Sequence, residues 1–126
     1  MATSTRFPIK FDAAYALLST TLLLFPSRSY VEIVGTQVTV AMGWAFRATF
    51  DRARITRAVP LRKQIPLTRG VHGWAGRWLV NGSGDGILSI DLEPRQRAYV
   101  MAVPVSLRQL QVSVDDPPAL AAALSS

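Results

Sequence analysis

The chain has 126 residues, a formal net charge of +6, no cysteine, and hydrophobic residues at 49% of its positions against 17% charged. This length corresponds to one domain, which we place at residues 1–126, and a domain of this size buries enough surface to fold without disulfides or metal ions. The composition excludes intrinsic disorder, disulfides, cysteine-ligated metals and a cysteine nucleophile, and it is compatible with a cytoplasmic protein.

The N-terminal part predicts an extended segment followed by an ambiguous apolar run. Three apolar residues alternate within Arg6–Phe11, and Pro8 restricts this segment to a sheet edge or a strand start. Residues 12–25 are compatible with a helix that Asp12 caps. Two β-branched threonines make a strand the alternative for the second half of this run. The apolar run is too short for a transmembrane helix, which needs about 20 apolar residues.

A period of two follows the apolar run and predicts strands. A hairpin covers Tyr30–Met42 with its turn at Gly35-Thr36, and a third strand covers Trp44–Phe50. The segment Asp51–Gly70 contains two prolines and five of the twelve arginines. We predict that it is irregular, with one short strand near Ile55.

The second half of the chain predicts another hairpin and two further strands. The glycine-rich segment Gly82–Gly86 separates Arg77–Asn81 from Ile87–Leu92, which is typical of two strands paired through a turn. Glu93-Pro94 is predicted to begin the next turn. We place the last two strands at Ala98–Val103 and Arg108–Val114.

The C-terminal residues 116–124 predict a helix. An N-cap oxygen from Asp115 or Asp116, followed by two prolines, is typical of a helix start because proline lacks a donor that would be unpaired there in any case. Leu120 and Leu124 are four residues apart and share a helix face. We therefore expect this helix to close an apolar opening of the sheet.

These elements predict a β-rich α+β fold with about seven antiparallel strands over residues 29–114, arranged as a bent sheet or barrel with a C-terminal capping helix. Such an architecture resembles the pleckstrin-homology (PH) class. About half of the chain also resembles a family of small uncharacterised actinobacterial proteins, in the segments VEIVGTQVTVAMGWAFRATF, GVHGWAGRWLVNGSGDGILSIDLEP and LRQLQVSVDDPPALAAAL. The resemblance implies a PH-like fold but no activity, because the family has none assigned.

The resemblance to the PH class does not extend to its phosphoinositide site. Phosphoinositide-binding members of that class carry basic residues on the first hairpin. Here the corresponding hairpin, Tyr30–Met42, has no lysine or arginine and carries Glu32. No binding residue is therefore carried over from the PH class.

Positive charge is concentrated in one segment, Phe46–Trp78, which holds eight basic residues and a single acid. Such a segment is suited to bind phosphate, nucleic acid or an anionic membrane. Ordinary solvated arginines on loops and strand edges are the alternative interpretation, and no RNA-recognition or helix-turn-helix pattern accompanies the segment. The candidate residues for binding an anionic surface or a partner are Arg47, Arg52, Arg54, Arg57, Arg62, Lys63, Arg69 and Arg77.

A second group of candidates combines aromatic and basic side chains. His72, Trp74, Arg77 and Trp78 are suited to line the mouth of a ligand pocket. Tryptophans of a barrel usually fill its core instead, and the lone histidine is also able to hydrogen-bond within a turn at Gly70–Trp74. The chain has no metal-ligand spacing, phosphate loop or hydrolase elbow, so we predict no metal, no cofactor and no catalytic residue.

Three functional hypotheses follow, of which the last is an accessory subunit that is active only within a complex. The first is a non-enzymatic domain that binds a protein partner or an anionic surface through its Arg-rich residues 47–77, in the cytoplasm or peripherally at a membrane. The second is a small-ligand-binding barrel or an enzyme with a pocket near His72, Trp74 and Arg77. Nucleic acid binding has no supporting motif, and the oligomeric state is left open.

Overall fold

A computed structural model describes residues 4–11, 28–61, 70–81, 83 and 86–125. The helix considered at residues 12–25 lies outside these residues. The described part of the chain forms nine strands, a 3₁₀ turn at Arg52–Arg54 and one helix. The strands are β1 (Ser4–Pro8), β2 (Ser29–Val34), β3 (Gln37–Met42), β4 (Phe46–Asp51), β5 (Ile55–Pro60), β6 (Gly70–Trp74), β7 (Arg77–Asn81), β8 (Ile87–Val100) and β9 (Val103–Ser113), and the helix is α1 (Pro117–Ser125).

The strands form one sheet in the order β1-β2-β3-β4-β8-β9-β7-β6, and β5 pairs with the first half of β8. The sheet curls until its first strand meets the end of β9, where Ile9 bridges Val114 and the Lys10 amide donates to the Ser113 carbonyl at 2.9 Å. The result is an open half-barrel with a C-terminal helix. The β-rich α+β fold class expected from the sequence is thereby confirmed, and the architecture is consistent with a PH-like fold.

The concave face of the sheet carries the core. In β2, β4 and the first half of β8, every second residue is buried there, as the alternating pattern requires. The helix covers this face, because Leu120 and Leu124 are both buried against the strands. Asp116 caps the helix, since its Oδ1 accepts a hydrogen bond from the Ala119 amide at 3.1 Å. The predictions of the helix, its cap and its closing role are confirmed.

The hairpin predicted across Gly82–Gly86 is wrong. Strand β7 does not pair with β8, because β9 lies between them and pairs with β7 in the parallel sense. Both edges of β8 are already occupied, by β9 on one side and by β4 and β5 on the other. Glycine-rich turn chemistry is a local signal and contains no information about which strand edges are taken.

The turn predicted at Glu93-Pro94 is also wrong, because β8 continues through these residues to Val100. The β8–β9 pairing shifts its register between Asp91 and Gln96, so Pro94 lies in an irregularity. A proline is tolerated at such a position because its missing amide hydrogen is not needed for the ladder.

Three smaller differences lie at turns. The strand predicted at Ala98–Val103 is interrupted, because β8 ends at Val100 and β9 begins at Val103 after a turn. The segment Gly70–Trp74, considered as a turn around His72, is strand β6 and pairs with β7. Trp44 precedes β4 instead of beginning it and is exposed in the β3–β4 turn. The short strand expected near Ile55 is confirmed as β5.

Candidate functional site

The structure separates the basic residues that the sequence groups together. Arg47 lies on β4, Arg54 on the 3₁₀ turn, Arg57 on β5 and Arg77 on β7, and all four are exposed. Arg52 is partly buried. These arginines are therefore spread over three strands and the 3₁₀ turn. The remaining candidates of the segment, Arg62, Lys63 and Arg69, lie outside the described residues.

Arg52 holds the C-terminal end of α1. Its Nη1 donates to the Ala123 carbonyl at 3.1 Å, and its Nη2 donates to the Gly35 carbonyl in the β2–β3 turn. The last carbonyls of a helix lack intrahelical partners and carry partial negative charge, so a guanidinium at this place satisfies an acceptor and the helix dipole together. Arg52 therefore stabilises the packing of the helix.

We expect Arg52→Ala to lower the free energy of unfolding by about 1–2 kcal/mol, because charged donors to two backbone carbonyls are lost. Urea denaturation followed by circular dichroism measures this change. Arg54→Ala in the same 3₁₀ turn is the matched control and should change stability by less than about 0.5 kcal/mol. Equal effects of the two substitutions would contradict the role of Arg52 at the helix end.

A polar row crosses the convex face of the sheet. Arg57 of β5, Asp91 of β8, Gln109 of β9 and Arg77 of β7 are successive Cα partners in the register. Directly paired residues point to the same face of a sheet. Gln109 Nε2 donates to Asp91 Oδ1 at 3.0 Å, which orients this carboxylate within the row.

Two further arginines join Arg77 at one end of this row. Arg108 Nε donates to the Ala75 carbonyl at 3.2 Å, and Arg95 Nη1 donates to Ser106 Oγ at 3.2 Å. Both side chains meet over Gly76 in the β6–β7 turn. A Cβ atom placed on this glycine would lie 2.8 Å from Nη1 of Arg95 and 3.2 Å from Cγ of Arg108.

These three arginines line an open hollow of about 700 Å³, which we call the arginine groove. Its other lining residues are Thr56, Asp91, Leu92, Glu93, Pro94 and Gln109. A second hollow of about 530 Å³ adjoins it at Arg95 and adds Arg97 and Ser106. The groove thus brings together three arginines that are up to 31 positions apart, from Arg77 to Arg108.

Among the described residues, no carboxylate oxygen lies within 4.0 Å of a guanidinium nitrogen of the groove. Among the described residues, the one ion pair within 4.0 Å joins Arg6 to Glu32 on β1 and β2, far from the groove in the sheet order. Each guanidinium has five N–H donors, and Arg95 and Arg108 each use a single donor on the contacts described above. Donor groups therefore remain available to an anion that enters the groove.

Sequence reasoning identified one residue of this groove, Arg77, and missed Arg95 and Arg108. Those two arginines stand outside the Arg-rich segment, on β8 and β9. The β8–β9 and β7–β9 pairings bring them to Arg77. The sequence does place Arg95 directly after Pro94, in the irregular part of β8 between Asp91 and Gln96. That irregularity is recognised only once the β8–β9 register is known.

Among the aromatic residues of the predicted pocket, Trp78 has a described side chain. This residue is the neighbour of Arg77 along β7 and points to the opposite, core-side face, where it packs against the core. Its ring lies over Gly73, because a Cβ atom on this glycine would be 2.2 Å from two ring carbons. The backbones of His72 and Trp74 lie in β6, and their side chains lie outside the described part.

Within the described ranges, no three histidine, cysteine, aspartate or glutamate residues are grouped closely enough to hold a metal ion. The helix in this part of the chain is too short to cross a bilayer. Comparison of the chain with protein-family models, with curated proteins and with solved structures finds no match.

Proposed function

We propose that the protein is a non-enzymatic binding domain that recognises an anionic group of its partner, a phosphate or a carboxylate, in the arginine groove. The observation that supports this proposal is the convergence of Arg77, Arg95 and Arg108 without a carboxylate partner among the described residues. A planar guanidinium matches the oxygens of carboxylates and phosphates in paired hydrogen bonds. An anion placed between these side chains would also relieve their mutual repulsion.

The acidic residues of the groove limit which anionic ligands can bind there. Asp91 and Glu93 lie beside the arginines, and Gln109 and Thr56 add neutral hydrogen-bonding groups. A long uniform polyanion such as nucleic acid would meet these carboxylates, and like charges in contact are unfavourable. A single anionic group with neutral polar neighbours fits the groove better. This argues for a discrete ligand group and against the phosphate backbone of nucleic acid.

A small-ligand barrel or an enzyme with a pocket near His72, Trp74 and Arg77 remains the alternative proposal. In the β6–β7 register, Trp74 is the Cα partner of Arg77, and His72 is the partner of Leu79. The described side chains that gather beside Arg77 are those of the groove, where Arg95 and Arg108 add two further positive charges. We therefore favour the groove. We also propose that the protein is related to the actinobacterial family that its sequence resembles. We propose a cytoplasmic location for it as well.

The proposal predicts that Arg95→Gln/Arg108→Gln weakens anion binding at least about tenfold, because each hydrogen bond to a charged group contributes about 1.5–3 kcal/mol. Pyrophosphate and a glutamate-rich peptide are the two probes, and isothermal titration calorimetry measures the dissociation constants. Binding of either probe should weaken as the salt concentration rises. Pyrophosphate alone would identify a phosphate ligand, and the peptide alone would identify an acidic protein segment.

Arg54→Gln is the control, because it removes one positive charge from the Arg-rich segment, and Arg54 does not line the groove. We expect its dissociation constants to stay within about twofold of the wild type. If neither probe binds at low salt, the proposal is wrong. If Arg54→Gln weakens binding as much as the groove variant, a diffuse basic surface replaces the groove as the explanation.

A further inference from the structure

Two neighbouring turns present large apolar side chains to solvent at one end of the sheet. Trp44 in the β3–β4 turn is 54% exposed, and Met101 and Val103 at the β8–β9 turn are each 59% exposed. Tyr99, which precedes the second turn, is 42% exposed. The Met101 amide donates to the Ala45 carbonyl at 2.9 Å, so the two turns are joined. We call these four side chains the apolar tip.

The backbone of the β8–β9 turn is unfavourable for the residues it contains. Met101 has φ 48° and Ala102 has φ 67°, although turns of this kind strongly prefer asparagine and glycine. Left-handed backbone at residues with a β-carbon is strained, and such strain is often found at functional positions. Methionine makes this turn less stable than asparagine or glycine would. It also places an apolar side chain at the outermost point of the hairpin.

Positive charge flanks the apolar tip. Arg47 is the Cα partner of Tyr99, and Arg97 lies two residues before Tyr99 on the same face of β8. Both arginines are exposed. Residues 42–47 and 97–103, which form the two turns and the adjoining strand ends, contain no aspartate or glutamate. The end of the sheet therefore combines apolar side chains with uncompensated arginines along these segments.

We propose that the apolar tip docks on the surface of an anionic lipid bilayer, with its apolar side chains among the acyl chains and Arg47 and Arg97 at the headgroups. Tryptophan and tyrosine are enriched at the bilayer interface, and arginines near it are attracted to anionic lipids. The four side chains expose roughly 400 Å² together, which is about half of what each partner of a stable protein complex buries. A convex tip of this size suits a bilayer better than a second protein.

This inference is independent of the arginine groove, which lies on β7, the middle of β8 and β9. A substitution can therefore abolish vesicle binding without affecting pyrophosphate binding, and the reverse. A tip variant that loses vesicle binding should keep its affinity for the groove probe. This difference distinguishes failure of the docking surface from failure of the proposed function.

Met101→Asn tests the proposal without endangering the fold, because asparagine suits a positive φ better than methionine does. The probes are vesicles of phosphatidylcholine alone and vesicles in which about one third of the lipid is phosphatidylglycerol, an anionic lipid. We expect the wild type to bind the anionic vesicles preferentially and in a salt-sensitive way. Met101→Asn should lower the partition coefficient about tenfold while its melting temperature is unchanged or higher.

Val34→Asn is the matched control, because Val34 is also exposed, at 39%, but lies beside the β2–β3 turn at the other end of β3. It should bind vesicles as the wild type does. Arg47→Gln and Arg97→Gln should each reduce binding to anionic vesicles about fivefold and leave binding to neutral vesicles unchanged.

Four results would overturn the proposal. They are no binding of the wild type to anionic vesicles, equal partition onto neutral and anionic vesicles, wild-type binding by Met101→Asn, and a concentration-dependent dimer that Met101→Asn dissociates. The last result, measured by sedimentation velocity, would assign the apolar tip to a second copy of the chain.

Discussion

Gly86→Ala should lower the free energy of unfolding by about 2–4 kcal/mol. Gly86 has φ 68°, a left-handed conformation that is unfavourable for alanine. A Cβ atom at this position would also lie 2.3 Å from the Val114 carbonyl oxygen. This oxygen belongs to the backbone and cannot move away as the end of a side chain would. The two costs therefore add.

The effect should reach the closure of the half-barrel. The Val114 amide donates to the Gly86 carbonyl at 2.8 Å, and Val114 also bridges Ile9 at the start of the chain. Displacing Val114 loosens the contact that brings the first strand to the end of β9. Hydrogen exchange of the Lys10 and Val114 amides should therefore accelerate more than exchange in the β2–β3 hairpin.

Gly35→Ala is the control for Gly86→Ala. Gly35 has a similar φ of 61°, but it lies in the exposed β2–β3 turn away from Val114. It should cost about 1 kcal/mol from backbone conformation alone. Chemical denaturation of both variants separates the two contributions. If they are equally destabilised, the contact with the Val114 carbonyl does not determine the cost at Gly86.

Leu120→Ala should destabilise the protein by about 2–5 kcal/mol. Leu120 is fully buried on the side of α1 that packs on the concave face of the sheet. Alanine has the highest helix propensity, so the substitution does not weaken the helix itself. The loss therefore measures the apolar contacts and the cavity that remains beneath the helix. Urea denaturation followed by tryptophan fluorescence determines it.

Ala122→Ser on the exposed side of α1 is the companion control and should change stability by less than about 0.5 kcal/mol. Asp116→Ala, which removes the N-cap, should be intermediate at about 1 kcal/mol. A small effect of Leu120→Ala, similar to that of Ala122→Ser, would mean that the helix is not needed to close the core.

Local sequence signals predicted the elements whose causes are themselves local. Alternation from Tyr30 onward identified the core face of the sheet because the side chains of a strand alternate between its two faces. Gly35-Thr36 identified the β2–β3 turn, and Asp116 identified the start of α1. In each case the residues that determine the element lie within it or within a few positions of it. A short segment of sequence is therefore enough to predict the element.

The candidate site depended on long-range pairing instead. Arg77 was recognised by its place in a basic segment, whereas Arg95 and Arg108 were not, because they reach it through the β8–β9 and β7–β9 pairings. The reverse holds for Arg52, which the segment suggested for binding but which the fold uses at the end of α1. Charge along the chain therefore did not predict charge on the surface.

The sequence by itself determined a β-rich domain, its core face and its C-terminal helix, because periodicity, turn residues and capping act over short distances. The tertiary structure alone decided that β9 separates β7 from β8 and that three distant arginines share the arginine groove. The physical reason is that strand partners are selected by the edges left unpaired and by burial over the whole sheet. No short segment of the chain carries that information.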